Sequence, residues 1–205
     1  MHRRFRKSSV SRDKFHNGLH RFEHWYLDNA VYFITSRCRN RYPAFASEGA
    51  KATFWDRFAL YSGDFGFVPW VTTLLDNHYH TIGHLRVGEN LGKMMQRLHG
   101  SVAKLVNDLL SERLSPFWYD SGKQGYFDGC IRDELQARRA YRYIVRQSER
   151  HGLARDWRTY RHTVINVELE RAVKRAHELK AFLHDVPYRR YLRKGEGDAG
   201  PSGKS

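Results

Sequence analysis

The stretch "FVPWVTTLLDNHYHTIGHLRV", residues 67–87, carries formal charge only at Asp76 and Arg86, in a chain with 36 Lys+Arg and 22 Asp+Glu. A segment this apolar has to lie inside the protein, and its β-branched and aromatic content favours extended backbone. It is broken at Asp76-Asn77, a turn-forming pair. "FVPWVTTLLDN" (67–77) reads as a strand, with Pro69 at its start or on an edge. "HYHTIGHLRV" (78–87) reads as a further strand or as the continuation of the first beyond the turn. His78 and His80 stand two apart, and strand alternation puts such residues on one face. Two imidazoles side by side suggest a metal site or a shared phosphate contact.

The surrounding elements alternate. "AVYFITSRCRN" (30–40) has strand character, and "SEGAKATFWDRFALYSG" (47–63) offers a Ser cap, an amphipathic helix and a closing glycine. From Asn90 the apolar residues Leu91, Met94, Leu98, Val102, Leu105, Val106 and Leu109 recur at helical steps, which predicts a helix to about 112. Residues 115–131 are Gly-punctuated and aromatic, a short strand with loops. Residues 132–152 form a helix with an acidic first turn and a glycine at its end. A strand over 162–168 and a polar helix to about 184 follow. The order β-α-β-β-α-β-α predicts an α+β sandwich, a central, mostly antiparallel sheet with helices on one face. The expected organisation is a basic, flexible arm over 1–25, one domain over 26–168, a helical extension over 169–193 and a disordered tail over 194–205.

The charge narrows the partner. A formal net charge of +14 and a pI near 10.0 point to a polyanion, usually nucleic acid, against the plainer reading of a merely basic surface. Cys38 and Cys130 are isolated, which gives neither a disulfide framework nor a CxxC zinc site. No apolar run approaches the roughly 20 residues of a membrane span. The N-terminus lacks the apolar core of a secretory signal. The expected location is the cytoplasm, with reduced thiols.

In the helix over 132–152, Ala140, Tyr141, Ile144 and Val145 make the apolar stripe, and Tyr143 falls off it. Its neighbours one turn away are Arg139, Arg146 and Gln147, with Arg150 next along. Tyr143 either covers the helix flank or does chemistry. If His78 and His80 hold a divalent cation with Gln147 as an oxygen ligand, Tyr143 stands beside the metal. A phenol with an ordinary pKa of about 10 is a poor nucleophile at neutral pH. A metal on the scissile phosphate would polarise the P–O bond, and a covalent phosphotyrosine would conserve the energy of the broken phosphodiester.

Three motifs carry a resemblance. "LLDNHYHTIGHL" resembles the "LMPNHxHLL" strand of single-strand DNA transposases with the histidine–hydrophobic–histidine motif. "FWYDSGKQGYFDGCIRDELQARRAYRYIVRQSERHGLARDW" resembles their "LWQxxFYDHxIRDEEEL…YIxxNPVRAGLVxxW" hallmark. "MMQRLHGSVAKLVN" (94–107) resembles the intervening helix. The likeness, over about 30–165, is to REP-associated tyrosine transposases, a branch of the insertion-sequence-200-like transposases. It implies a ferredoxin-like or RRM-like sheet carrying metal-binding His78 and His80, with Mg²⁺ or Mn²⁺ as cofactor. It implies Tyr143 as nucleophile on a late helix packed nearby, and Gln147 where the motif has its Asn ligand. Asp76 and Ser148 stand where the motifs have proline, and Thr81 and Gly83 depart from the "HLL" run.

The implied activity is metal-dependent cleavage and rejoining of single-stranded or hairpin DNA. A single-strand groove needs cations for phosphates and aromatic faces for bases. Trp118, Tyr119, Lys123, Tyr126, Phe127 and Arg132 form such an interleaved run, which core packing would equally explain for the aromatics. Arg139 and Arg146 flank Tyr143. Arg3, Arg4, Arg6, Lys7 and Arg12 fit an arm on a duplex stem or a solvated tail. His84, two beyond Ile82, reads as a structural or phosphate-contacting residue before a ligand, and His99 as packing or solvent-facing. The rival functions are a DNA-binding protein with the same fold and little turnover, and a metallohydrolase that would not need Tyr143. Both a homodimer and a monomer are compatible with the sequence.

Overall fold

The computed structural model describes residues 5–7, 25–119 and 125–185. A short antiparallel pair, β1 (Phe5–Lys7) with β2 (Trp25–Leu27), precedes the main sheet. That sheet comprises β3 (Ala30–Arg37), β4 (Phe67–Leu74), β5 (His78–Leu85), β6 (Phe127–Cys130) and β7 (Thr163–Ile165). Their spatial order is β6-β3-β5-β4-β7, and every neighbouring pair is antiparallel. With α1 (Glu48–Phe65) after β3 and α2 (Asn90–Asn107) after β5, the chain runs β3-α1-β4-β5-α2-β6, the ferredoxin-like motif. β7 adds a strand at the β4 edge.

The apolar run becomes the β4–β5 hairpin, so its second half is a separate strand. Across the turn the Leu75 N–H donates to the His78 carbonyl at 2.8 Å. β5 is the central strand and is covered on both faces, which is why the run shows no clean polar alternation. Pro69, which has no N–H, lies before Val71–Thr73, the part of β4 that β7 pairs, and a register shift follows it.

Alternation along the strands sorts side chains into two cores. Tyr32, Ile34, Leu74, Tyr79 and Leu85 pack with Phe54 and Phe58 of α1 and Leu91, Met94, Leu98 and Val102 of α2. Val31, Val71 and Ile82 pack on the opposite face with α3 (Glu134–Val145) and with Ala172 and Ala176 of the last helix (Leu169–Glu178). Helices therefore cover both faces of the sheet, not the one face expected from the element order. A central strand apolar on both sides leaves no other choice, since each fully buried Leu, Ile or Phe is worth about 1.5–3 kcal/mol.

Several boundaries differ from the periodicity for local reasons. The Ser47 hydroxyl caps α1 by accepting from the Ala50 N–H at 3.2 Å, but the helix runs through Gly63 and stops at Gly66, whose φ of 71° is left-handed. α2 ends at Asn107 and not near 112, because the Asn107 amide bonds both the carbonyl and the N–H of Leu114, at 3.1 and 2.7 Å. The predicted helix over 132–152 is broken at Arg146 (φ −90°, ψ 8°) into α3 and a single turn, α4 (Gln147–Arg150). Side chains enter the carbonyl ladder there. Thr73 Oγ1 of β4 donates to the Ile144 carbonyl and Gln147 Nε2 to the Tyr143 carbonyl, each at 2.9 Å. The helix over Leu169–Glu178 is α5. Among the described residues no helix is long and apolar enough to cross a membrane.

Candidate active site

His78 and His80 point from β5 toward α3, on one face, as strand alternation requires; their ring centroids are 5.0 Å apart. The Asn77 amide is oriented by its Nδ2, which donates to the Arg41 carbonyl at 3.0 Å. Its Oδ1 therefore accepts from His78 Nδ1–H at 2.5 Å, which leaves the lone pair of His78 on Nε2. His80 lies opposite Thr35 of β3, and its Nδ1 bonds the Thr35 hydroxyl. His80 Nε2 is buried with no hydrogen-bond partner among the described residues. A buried polar atom left unpaired costs about 1–3 kcal/mol, and a metal ligand with its other nitrogen tied to an oxygen has this arrangement.

Both rings are held neutral. Burial, and then the nearby His151, Arg37 and Arg41, push the His78 pKa down to about 4. Burial, and then His78 and His151, push His80 down to about 3. Neutral imidazoles keep the lone pairs that a cation needs. The orphaned Nε2 and this protonation state fit a divalent metal. Among the described residues no three His, Cys, Asp or Glu side chains form a metal-binding group, so oxygen donors of another kind would complete the shell.

α3 brings Tyr143 to this face. Its ring lies edge-on to His80 at 5.2 Å and to Phe33 at 6.2 Å, and the Arg150 guanidinium sits 5.0 Å over it. Tyr143 is 37% exposed, so the ring is anchored on one side and open on the other. Gln147 is buried one turn beyond; its amide nitrogen is committed to the Tyr143 carbonyl, and its oxygen is the remaining polar atom. His151 also joins the site, its ring 4.8 Å from that of His78. Tyr143, Gln147 and His151 recur at four-residue steps, a signal for one helical face that was present in the sequence.

Arg132, Arg139 and Arg146 are exposed, the last two on the segment that bears Tyr143. Lys123 lies outside the described residues. Trp118 and Tyr126 are corrections, for both lie across the sheet from the histidines. Trp118 is 8% exposed, stacks on His99 at 4.2 Å and donates Nε1–H to the His99 carbonyl at 3.0 Å. Tyr126 packs against the same core, its ring edge-on to His99 at 5.8 Å. A ring as buried as that of Trp118 offers no face to a base. His99 itself is buried, with Nε2 at 3.0 Å from the Tyr79 hydroxyl. His84 Nε2 donates to Asn29 Oδ1 at 2.9 Å, because Asn29 Nδ2 donates to the Leu179 carbonyl at 2.6 Å; it ties β5 to the end of α5.

Comparison with solved structures gives the fold of the REP-associated tyrosine transposase, solved bound to a REP hairpin: TM-score 0.61 and 15% identity, covering 76% of this chain and 88% of that one. A Deinococcus radiodurans R1 protein provisionally called a transposase is a looser likeness, with TM-score 0.42 and 12% identity over 66% of this chain and 98% of that chain. No family model and no curated protein matches the sequence.

Proposed function

We propose that this chain, with the fold of a REP-associated tyrosine transposase, is a transposase-like DNA endonuclease and strand-transferase. It cleaves and rejoins single-stranded or hairpin DNA through a covalent 5′-phosphotyrosine on Tyr143. The observation that carries the reading is the half-exposed Tyr143 ring set edge-on to His80, whose Nε2 is a buried atom with no partner among the described residues. The fold likeness to a tyrosine transposase supports it.

In this reading the Tyr143 oxygen attacks the scissile phosphorus. The Tyr–O–P bond forms, the P–O3′ bond breaks, the phenolic proton passes to solvent and the departing 3′ oxygen takes one up. Attack by a 3′-hydroxyl on the phosphotyrosine runs the same step backwards, so rejoining needs no ATP. Packing against Phe33 and His80 restricts the Tyr143 ring, which limits the orientations the nucleophile must search. Arg150 places positive charge at the ring face, while Arg139, Arg146 and Arg132 are exposed for phosphates. His78 Nε2 and His80 Nε2, with the Gln147 amide oxygen, would hold Mg²⁺ or Mn²⁺, and the bound cation would neutralise charge on the phosphate.

The test is a trapped adduct. Hairpin oligonucleotides with single-stranded flanks, labelled at the 3′ end, are incubated with the protein and Mg²⁺ or Mn²⁺. A labelled band that survives denaturing electrophoresis, and that is absent in EDTA and in Tyr143→Phe, is expected. DNA binding with no adduct on any single-stranded or hairpin substrate would overturn the enzymatic reading in favour of a binding protein.

A further inference from the structure

The sheet face that carries His80, with Tyr143 of α3 against it, extends beyond them as a line of rings toward the sheet edge. Phe33 of β3 is stacked 24° from parallel with His80 at 6.0 Å and touches Tyr143 edge-on at 6.2 Å. Phe127 of β6, the outermost strand, meets Phe33 at 6.4 Å. Phe127 pairs with Thr35 in register and Gly129 pairs with Phe33, so all four belong to one face. A Cβ on Gly129 would come 3.6 and 3.7 Å from Phe127 ring carbons, so the Phe127 ring leans over the bare glycine backbone. Phe127 nonetheless remains 36% exposed. The neighbouring acidic residue, Asp128, pairs with Ile34 and so belongs to the opposite face.

We propose that Phe127, held in place by Phe33, forms a stacking subsite for one nucleobase of the strand whose phosphate meets Tyr143. The proposal rests on the functional reading above. The Phe127 ring face, with the Phe33 ring set at 64° to it, presents the footprint of one base; a protein partner would need roughly 800 Å² on each side. The Tyr143 segment carries exposed cations at Arg139, Arg142, Arg146 and Arg150, the last over the Tyr143 ring, which suits a phosphate backbone beside the base. Aromatic stacking on an exposed ring accepts any base, so the subsite positions the strand and does not read its sequence. Phe127 and Phe33 are then positioning residues: they hold the nucleotide next to the scissile phosphate and so set where along the strand Tyr143 cuts.

The experiment uses the full-length chain with Tyr143→Phe, which binds without cutting. Hairpin oligonucleotides carry 2-aminopurine at each flanking position in turn. One position is expected to lose emission on binding, and Phe127→Ala to restore that emission and weaken binding about tenfold. Phe127→Leu keeps the apolar contact with Phe33 without a π face; it should fold normally and still fail to quench. With an abasic nucleotide at the same position, Phe127→Ala should cost nothing further. Tight binding with no quenched position, or an equal loss on intact and abasic DNA, overturns the subsite alone. Failure of every oligonucleotide to bind overturns the functional reading, and the subsite with it.

Discussion

Two buried imidazoles, His80 of β5 and His99 of α2, lie on opposite sides of the sheet, and each keeps company with a tyrosine. His80 is 5% exposed and His99 is 8% exposed, and burial is the main cause that pushes each pKa down to about 3. Around His99 contacts are closed: Nε2 meets the fully buried Tyr79 hydroxyl at 3.0 Å and the ring lies on Trp118. Burial raises the Tyr79 pKa far above the ordinary phenol value, which removes it from chemistry. Around His80 the contacts are open: Nδ1 is tied to Thr35, Nε2 has no hydrogen-bond partner among the described residues, and its tyrosine is exposed on one side. The difference teaches that burial and a lowered pKa do not by themselves mark a site. What separates the two is a polar atom whose desolvation nothing among the described residues offsets.

The largest expected effect breaks the two tyrosines apart. Tyr143→Phe should abolish the covalent adduct while changing DNA affinity by less than about twofold, since the ring and its contacts stay and only a hydroxyl is lost. Tyr79→Phe should do the reverse, keeping the adduct and losing about 1 kcal/mol of stability with the His99 hydrogen bond. Denaturing gels and urea titrations of the two variants check both halves. An adduct persisting in Tyr143→Phe would show that the nucleophile lies elsewhere.

The two histidines should separate next. His80→Ala is expected to bring cleavage to the level seen in EDTA, with a small change in unfolding midpoint. His99→Ala opens a hole between Trp118 and Tyr79 and should cost about 2–4 kcal/mol, with cleavage per folded molecule retained. Equal stability losses in both variants would mean that His80 is a core residue like His99.

Acid sharpens the same contrast. In EDTA, His99 titrates near 6.5 when unfolded and at about 3 when folded, so the unfolded chain binds the extra proton between those values. Its contribution to stability is fully present above about pH 6.5 and is lost as pH falls toward 3. His99→Phe, which carries no titrating group there, should flatten the decline of the urea midpoint between pH 7 and pH 4. A decline as steep as in the parent chain would show that His99 is not held neutral.

Much of this was legible because it rests on local pattern. The β4–β5 hairpin and its histidine face follow from a charge-poor run broken by one turn, and Tyr143 stood out by falling off its helix stripe. What was not legible depends on distant contacts. Nothing near Arg146 announces the helix break; it follows from Thr73, on β4, reaching the Ile144 carbonyl. The interleaved aromatics at 117–127 show a stacking composition but not which sheet face each residue takes, so Trp118 and Tyr126 were placed near the histidines while they pack behind them. His151 could have been found from its spacing to Tyr143 and Gln147, but its approach to His78 depends on the turn at α4.

The smallest expected effect tests the one contact that distinguishes the open imidazole from the closed one. Thr35 faces His80 across the β3–β5 pair, and its hydroxyl meets His80 Nδ1. Val in its place keeps the shape and the strand preference and removes only that hydroxyl. With Thr35 accepting from Nδ1–H, the ring is held in the tautomer that leaves Nε2 its lone pair. Without it, the proton moves between nitrogens and the ring turns more freely. Losses of about 10- to 100-fold in metal affinity are usual when such a partner is removed, and the lower end fits a single hydroxyl at the strand face. Thr35→Val should therefore raise the Mn²⁺ concentration for half-maximal cleavage about tenfold, with the rate at saturating Mn²⁺ nearly restored because Tyr143 is untouched. On the other face, Tyr79→Phe removes the partner of His99 Nε2 and should leave the Mn²⁺ midpoint where it was. If both variants leave that midpoint unchanged, Thr35 does not orient a metal ligand, and the unpartnered nitrogen of His80 needs another explanation.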